Sequence, residues 1–434
     1  MPNVSTKTWG INQPFLGVTL RANKGDSIHV NVTNNLHKTT TLHWHGIKLP
    51  AKADGGPHQP IKPAQKWLSE FDIIQPAASL WYHSHQMHKT GEQVYQGLAG
   101  MFIIDDDISK NLSLPSEYGV DDFPVIIQDK DFNQDGSFKY FSDFRDKLMG
   151  KKGETILVNG VISPVLKARK SMIRLRILNG SNARIYHLNF DDKRMFHIIA
   201  SDGGLLEKPV MAHSIKLAPA ERAEILVDIS DGKMPILRHK MHMQKSANRM
   251  SGMMMMQSIQ GKKQEFDIFQ IDARSVSTSD KKIPDNLVKH DNPSVRSISK
   301  KRVFKLQMQM GPQLMFGAMS GSTDLLKING KSMNINRIDE VVKAGSVELW
   351  EIENTSMMPH PFHIHNVQFK IVTRQSKIKG HELGFKDVVL VRPHETVQVL
   401  IKFPQFSDAK TPYMYHCHIL EHEDHGMMGQ FVVV

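Results

Sequence analysis

Residues 24–46 read Lys24-Gly-Asp-Ser-Ile-His-Val-Asn-Val-Thr-Asn-Asn35, then a loop, then Leu42-His43-Trp44-His45-Gly46. Apolar and polar positions alternate with a period of two. Successive side chains of an extended strand point to opposite faces, so this alternation predicts a strand with one buried face. The same phrase returns twice. Residues 170–190 run Lys170-Ser-Met-Ile-Arg-Leu-Arg-Ile-Leu-Asn179, a polar turn, then Ile185-Tyr186-His187-Leu188. Residues 343–365 run Lys343-Ala-Gly-Ser-Val-Glu-Leu-Trp-Glu-Ile-Glu-Asn354, a turn, then Pro361-Phe362-His363-Ile364-His365. An Asn-containing segment precedes each phrase: Gly10-Ile-Asn12, Val158-Asn159-Gly160 and Ile328-Asn329-Gly330. Between the phrases, short Val, Ile, Leu and Phe runs are cut by Gly, Pro, Asn and Asp. This predicts an all-β chain built as a threefold repeat of a β-sandwich unit.

The unit ends repeat as well. Trp81-Tyr82-His83-Ser84-His85 precedes Gly97-Leu98-Ala99-Gly100, and Tyr413-Met414-Tyr415-His416-Cys417-His418 precedes Gly426-Met427-Met428-Gly429. Overlaying the two sets Ser84 on Cys417 and Leu98 on Met427. The middle repeat contributes only His187, expected to pack and not to bind. The first and third units are therefore expected to share a histidine cluster, with the middle one as a spacer. Residues 105–119 and 273–300 are the predicted joints.

At 434 residues the chain is long enough for about three domains, and 40% apolar content can fill their cores. The net charge of +11 comes with no interleaved aromatic and basic motif, so it is read as a lysine-rich solvated surface, and no nucleic acid is expected. No apolar run approaches the ~18 residues that cross a bilayer, so no membrane partner is expected either. The opening residues carry no signal-peptide core and leave the compartment open. A lack of disulfides does not settle it in a chain of this size.

Histidine placement changes the picture. Four His-x-His pairs occur, at His43/His45, His83/His85, His363/His365 and His416/His418, whereas 23 histidines scattered at random would give about one. On a strand each pair presents two imidazoles from one face, and eight can hold several metal ions. Cys417 is the sole cysteine and cannot form an internal disulfide. A thiolate with imidazoles and a weak thioether is the ligand set of a blue-copper site, and His422 and Met427 follow just downstream. Zinc is the competing occupant, but structural zinc sites prefer thiolates and close at four ligands. Copper accounts for both the histidine surplus and the Cys-His-Met set. The 25 methionines include Met250, Met253, Met254, Met255 and Met256 in a Met-rich stretch over 234–256. Thioethers hold Cu(I) well, and four consecutive methionines cannot share one strand or helix face. A second group, Met308, Met310, Met315 and Met319, is equally consistent with a strand face.

Taken together and in order, His43-x-His45-Gly46, His83-x-His85, His360-x-x-His363-x-His365 and His416-Cys417-His418-x-x-x-His422-x-x-x-x-Met427 resemble the three-domain bacterial multicopper oxidases, most closely the copper-efflux (cuprous) oxidases with laccase activity. The resemblance implies three cupredoxin-like Greek-key β-sandwich domains at 1–107, 108–275 and 276–434. It implies four copper ions: one type 1, one type 2 and two type 3. His360, Cys417, His422 and Met427 would bind the type 1 ion, and His43 and His363 the type 2 ion. His45, His83 and His418 would bind one type 3 ion; His85, His365 and His416 would bind the other. Strand parity agrees, because His360 lies three residues from His363 and points to the side that Cys417 occupies. Asp54 and Glu423 stand where the family carries proton-relaying acids.

The implied reaction is one-electron oxidation of Cu(I) and phenolic or aromatic donors, coupled to four-electron reduction of O2 to water, with a role in copper tolerance. An axial Met implies a moderate type 1 potential, which suits such donors. Met358 and its neighbour Met357 are the expected route for Cu(I). The family's acid four residues before the first type 1 histidine is Ser356 here, and the long Met/His-rich insert before the last motifs is shorter. A periplasmic monomer is implied, with an export signal and a first strand upstream of Met1. The alternative reading is a copper-sequestering or chaperone protein, which would need neither the Cys-His link nor paired type 3 histidines. Nitrite reduction would not need eight clustered histidines.

Overall fold

The computed structural model describes residues 4–140, 144–240, 265–308 and 325–434. Each repeat becomes a β-sandwich of Greek-key type. In the first, a sheet ordered Leu20–Asn23, Ala99–Asp105, Ala78–His83, His43–His45 packs with the pair Ser27–Thr33 and Lys66–Asp72. The middle one has a seven-stranded sheet around Met172–Asn179 and a five-stranded sheet around Ile236–Lys240. The third pairs a sheet centred on Val347–Asn354 with a sheet ordered Glu340–Val342, Met428–Val433, Asp408–Cys417, His360–Ile364, Val388–Val391.

The threefold repeat is visible atom by atom. Asn12, Asn159 and Asn329 all adopt the left-handed conformation, at φ 60, 49 and 52. Asn tolerates this region better than other non-glycine residues. The Asn that closes each repeated strand is buried and makes the same bonds in all three units. Asn34 Nδ2 donates to the carbonyls of Lys38 and Ile61, Asn179 Nδ2 to those of Arg184 and Leu217, and Asn354 Nδ2 to those of Met358 and Val391. Their Oδ1 atoms accept from the N–H two residues on, at Leu36, Ser181 and Ser356. Each Asn thus supplies a turn that mimics backbone and fixes the loop leading to the next strand. In the first and third units that next strand carries a His-x-His pair.

The first and third sandwiches share one continuous core, running from Trp44, Leu80 and Phe102 to Phe304, Trp350, Phe362 and Phe431. Burying each such phenylalanine stabilises by roughly 1.5–3 kcal/mol. The middle sandwich has a separate core over Phe123 to Leu287. A small third cluster, with Trp81, Ile126, Leu178, Val388 and Leu420, lies where all three meet. The histidine pairs stand on, or one or two residues past the ends of, strands of the first and third sandwiches. The Met250 and Met253–Met256 stretch lies outside the described residues, as do Met310, Met315 and Met319. Met308 is described and ends a strand with its side chain against the shared core.

Candidate metal centre

Strand register sets the geometry. In the third unit Phe362 pairs with Cys417 and His363 with His416, antiparallel. Paired residues share a face, so His363 and His416 lie on one side, while Cys417 and, by parity, His360 lie on the other. In the first unit His43 pairs with His83. All eight imidazoles of the four pairs are buried in one cluster. His43 stacks on His365 with ring centroids 3.9 Å apart, and His45 stacks on His363 at 3.8 Å.

Hydrogen bonds on the far side of each ring determine which nitrogen faces inward. Nδ1 of His43, His83, His363 and His416 donates to the carbonyls of Asp54, Ser84, Asp387 and Cys417 at 2.7–3.1 Å. Nδ1 of His365 donates to Asp54 Oδ2 at 2.9 Å. A carbonyl or carboxylate only accepts, so Nε2 of these five rings carries a lone pair. His416 Nε2 lies 3.2 Å from His85 Nε2 and 3.3 Å from His365 Nε2. Between His365 and His416 this is not a hydrogen bond: two lone pairs point at one spot, an arrangement that a cation stabilises. Among the described residues, Nε2 of His43, Nε2 of His363 and both nitrogens of His418 have no hydrogen-bond partner. Each buried orphan costs about 1–3 kcal/mol unless something binds it.

His45 is turned the other way. Its Nε2 donates to Asp387 Oδ1 at 3.1 Å, and its Nδ1 faces His83 Nε2 at 3.3 Å. His418 completes this side, its ring 5.1 Å from His45 and 5.4 Å from His83. Burial, reinforced by neighbouring imidazoles, drives the pKa values of His45, His83, His85, His363, His365 and His418 well below the ordinary value, and burial brings His416 to about 3. These rings are neutral near pH 7, the form that binds metal.

On the opposite face, three donors form a triangle. His360 Nδ1 lies 3.4 Å from Cys417 Sγ, Cys417 Sγ 3.6 Å from His422 Nδ1, and the two Nδ1 atoms 3.3 Å apart. The centre of such a triangle is about 2 Å from each corner, a metal–nitrogen bond length and close to a metal–thiolate one. The outer nitrogens are capped: His360 Nε2 donates to Ser356 Oγ at 2.8 Å and His422 Nε2 to the Leu148 carbonyl at 2.9 Å. Burial pushes the Cys417 thiol far up, so its thiolate needs a cation beside it. Met427 is buried in the same core and receives Cys417 N–H on its carbonyl at 3.0 Å. Soft sulfur with imidazole suits copper, so the residues present fit the ions expected.

The first unit has the same frame without the ligands. Ser84 N–H bonds the Leu98 carbonyl at 3.1 Å, as Cys417 N–H bonds Met427. The positions equivalent to His360 and Cys417 are Thr40 and Ser84, and both hydroxyls converge on Gln93 Oε1. A hydrogen-bonded hydroxyl and amide set fills the place of a thiolate site.

The acids stand against the rings. Glu423 is buried, with Oε1 accepting from Thr90 Oγ1 at 2.6 Å and lying 3.3 Å from His85 Nδ1; its Oε2 lies 3.2 Å from His416 Nδ1. Burial and the neighbouring Asp424 raise its carboxyl well above the usual range. Asp54 contacts His365 through its side chain and His43 through its carbonyl.

Three features escaped sequence reasoning. Asp387 holds His45 with its side chain and His363 with its carbonyl; the adjacent charges Lys386-Asp387 before the apolar run Val388–Val391 are the only local hint. The middle unit is more than the expected spacer, since Leu148 caps His422 and Arg222 binds Asp387. Met358, expected to handle Cu(I), is only 6% exposed and packs in the core, whereas Met357 is 51% exposed with Sδ 3.1 Å from His394 Nε2.

Comparison with known proteins reaches the same place from outside. The multicopper oxidase "mco" of Staphylococcus haemolyticus is 37% identical over 99% of this chain and 85% of its own length. The cell division protein FtsP of Escherichia coli K12 is 35% identical over 100% of this chain and 86% of its own. The laccase-like multicopper oxidase CueO from Ochrobactrum sp. superposes with a TM-score of 0.86 at 34% identity, covering 100% of this chain and 94% of that one. Family profiles described as multicopper oxidase match residues 1–109 and 297–434, the two stretches that carry every histidine pair and the Cys417 triangle. The chain belongs to the multicopper oxidase family: it is an oxidase whose cofactor is copper of types 1, 2 and 3 and whose oxidant is O2.

Proposed function

We propose that this oxidase takes electrons one at a time from Cu(I), and less directly from phenolic and aromatic donors, and takes O2 to two waters, with a role in copper tolerance. The observation that carries oxidase turnover over sequestration is the position of Cys417. Its Sγ stands in the donor triangle on one face while its bonded neighbours, His416 and His418, stand in the cluster on the other. The backbone of a single strand provides a covalent path between the two sites, and storage has no use for one.

Bound copper supplies reversible one-electron chemistry at the triangle and dioxygen reduction at the cluster. We assign His360, Cys417, His422 and Met427 to the type 1 ion, His43 and His363 to type 2, and the triads His45/His83/His418 and His85/His365/His416 to type 3. Glu423 keeps a proton at its carboxyl beside His85 and His416, and Asp54 orients His365 and His43. Cu(I) is placed ahead of phenols because neither outer nitrogen of His360 or His422 is free to meet a bulky donor, while Met357 and His394 offer a thioether and an imidazole to a small soft ion. Where the family resemblance places an acid, this chain has Ser356, whose Oγ accepts from His360 Nε2. We set the domain limits at 1–107, 108–275 and 276–434; each sheet falls within one of the three, which supports this division, while the middle core also takes in Leu287. The periplasmic, monomeric setting rests on resemblance; among the described residues no helix is long and apolar enough to cross a membrane.

Oxygen uptake with Cu(I), Mn(II), Fe(II) and a phenol, with and without added Cu(II), tests the reading. Met357→Ser should lower kcat/KM for Cu(I) and leave the phenol value unchanged. No uptake with any donor by a copper-loaded preparation would return the protein to a storage role.

A further inference from the structure

Arg222, the first residue of the strand Arg222–Asp228, is fully buried where the three sandwiches meet. Its guanidinium has five N–H donors, and all five are used. Nε donates to the Ser79 carbonyl of the first unit at 3.1 Å. The two terminal nitrogens donate to the Ala220 and Asp202 carbonyls of its own unit, both at 3.0 Å. They also grip Asp387 of the third unit, at 2.7 Å to Oδ1 and 2.6 Å to Oδ2. Oδ1 of the same carboxylate is the acceptor for His45 Nε2.

This chain of contacts bears on one atom. Five cluster rings present Nε2 because a carbonyl or carboxylate holds their Nδ1. His45 presents Nδ1 to His83 because Asp387 holds its Nε2. An imidazole carries its proton on the nitrogen that faces an acceptor, so the position of Asp387 decides which His45 nitrogen has a lone pair for metal. Asp387 is itself placed by a two-pronged grip that only a planar guanidinium supplies. A second observation points the same way. Gly46 follows the first His-x-His pair at φ 86, and a Cβ there would meet Asp387 Oδ2 at 2.5 Å and Arg222 at 2.9 Å. The glycine of the motif leaves room for this grip.

We infer that Arg222 is a positioning residue for the oxygen-reducing cluster: acting through Asp387, it fixes the tautomer and orientation of His45. The middle sandwich, which provides no ligand among the described residues, thereby completes the site. The inference rests on His45 being a type 3 ligand.

The test compares Arg222→Gln and Arg222→Lys with a control, Arg176→Gln, in the full-length copper-loaded protein. Arg176 is likewise buried at the junction and bonds Asp122, Glu224 and Ser79, and hydrogen-bonds no histidine among the described residues. Readouts are copper content, the near-ultraviolet absorption and paramagnetic silence of a coupled type 3 pair, the blue band, and Tm. Arg222→Gln is expected to uncouple the pair, with retention of a type 3 ion weakened about 10–100-fold, the usual effect of losing an outer-shell partner. The blue band should keep its full intensity. Arg222→Lys should fall between Arg222→Gln and wild type. Arg176→Gln should lower Tm while keeping the coupled pair. A coupled, silent pair at wild-type occupancy in Arg222→Gln, whatever its Tm, overturns the inference. If that variant does not fold, the same signature in Arg222→Lys overturns it. Failure of both to fold while Arg176→Gln does would make the arginine purely architectural and overturn it too. A wild-type protein without a coupled pair would instead refute the ligand assignment beneath it.

Discussion

Glu423→Gln removes an ionisable proton from the cluster while keeping the side chain's size. Thr90 Oγ1 can still donate to the amide oxygen, so the helix Thr90–Gln96 and the tail Leu420–Asp424 should stay docked. What disappears is a proton held within 3.3 Å of His85 and 3.2 Å of His416. General acids contribute about 10²–10⁴ in rate. Asp54 stands on His365 as a second carboxylate and partly substitutes, which puts the expected loss near the lower limit, about 10²-fold, or about 2.7 kcal/mol at 1.36 kcal/mol per decade. Single-turnover mixing separates the half-reactions. Reoxidation of the reduced enzyme by O2 should slow by that factor, while reduction by substrate should change far less, because the hydrogen bond and close contacts of Glu423 go to Thr90, His85 and His416. Burial raises the Glu423 pKa above the usual carboxylate range, which favours the protonated donor, and wild-type reoxidation should fall as pH rises through the Glu423 titration. The variant should lack this descending limb. Reoxidation at the wild-type rate with an unchanged pH profile would refute the proton role.

Cys417→Ser should abolish the blue band and substrate oxidation and leave a folded protein, since a hydroxyl of similar size faces the same two imidazoles; blue absorbance surviving in the variant would refute the type 1 assignment. Met427→Leu, the residue at the matching place in the first unit, should keep the blue band, raise the type 1 potential in a redox titration, and cost less than about 1.5 kcal/mol in denaturant unfolding because volume is conserved. Changing Met250 and Met253–Met256 to Ser should reduce kcat/KM for Cu(I) selectively, with phenol oxidation kept or increased; parallel losses would mean the stretch only packs.

Much of this protein was legible in its sequence for a local reason. Strand parity is a property of adjacent residues, so alternation predicted the all-β fold, and each His-x-His pair on one face was readable without knowing the neighbours. The repeated Asn positions were equally readable, because Asn34, Asn179 and Asn354 each bond within a few residues before reaching a further strand. The pairing of Ser84 with Cys417 and Leu98 with Met427 followed from the same logic.

What the sequence could not decide is which nitrogen each imidazole offers and who caps the other one. That depends on partners far along the chain: Asp54 for His365, Leu148 for His422, Ser79 and Asp387 for Arg222, the last pair 165 positions apart. Nor could it tell Met357 from Met358, adjacent residues of which packing buries one and exposes the other. Residue type and spacing determine which donors this chain carries. Only the docking of three sandwiches determines the tautomer and exposure of each donor, because a proton sits on the nitrogen that meets an acceptor, and the acceptors come from elsewhere in the fold.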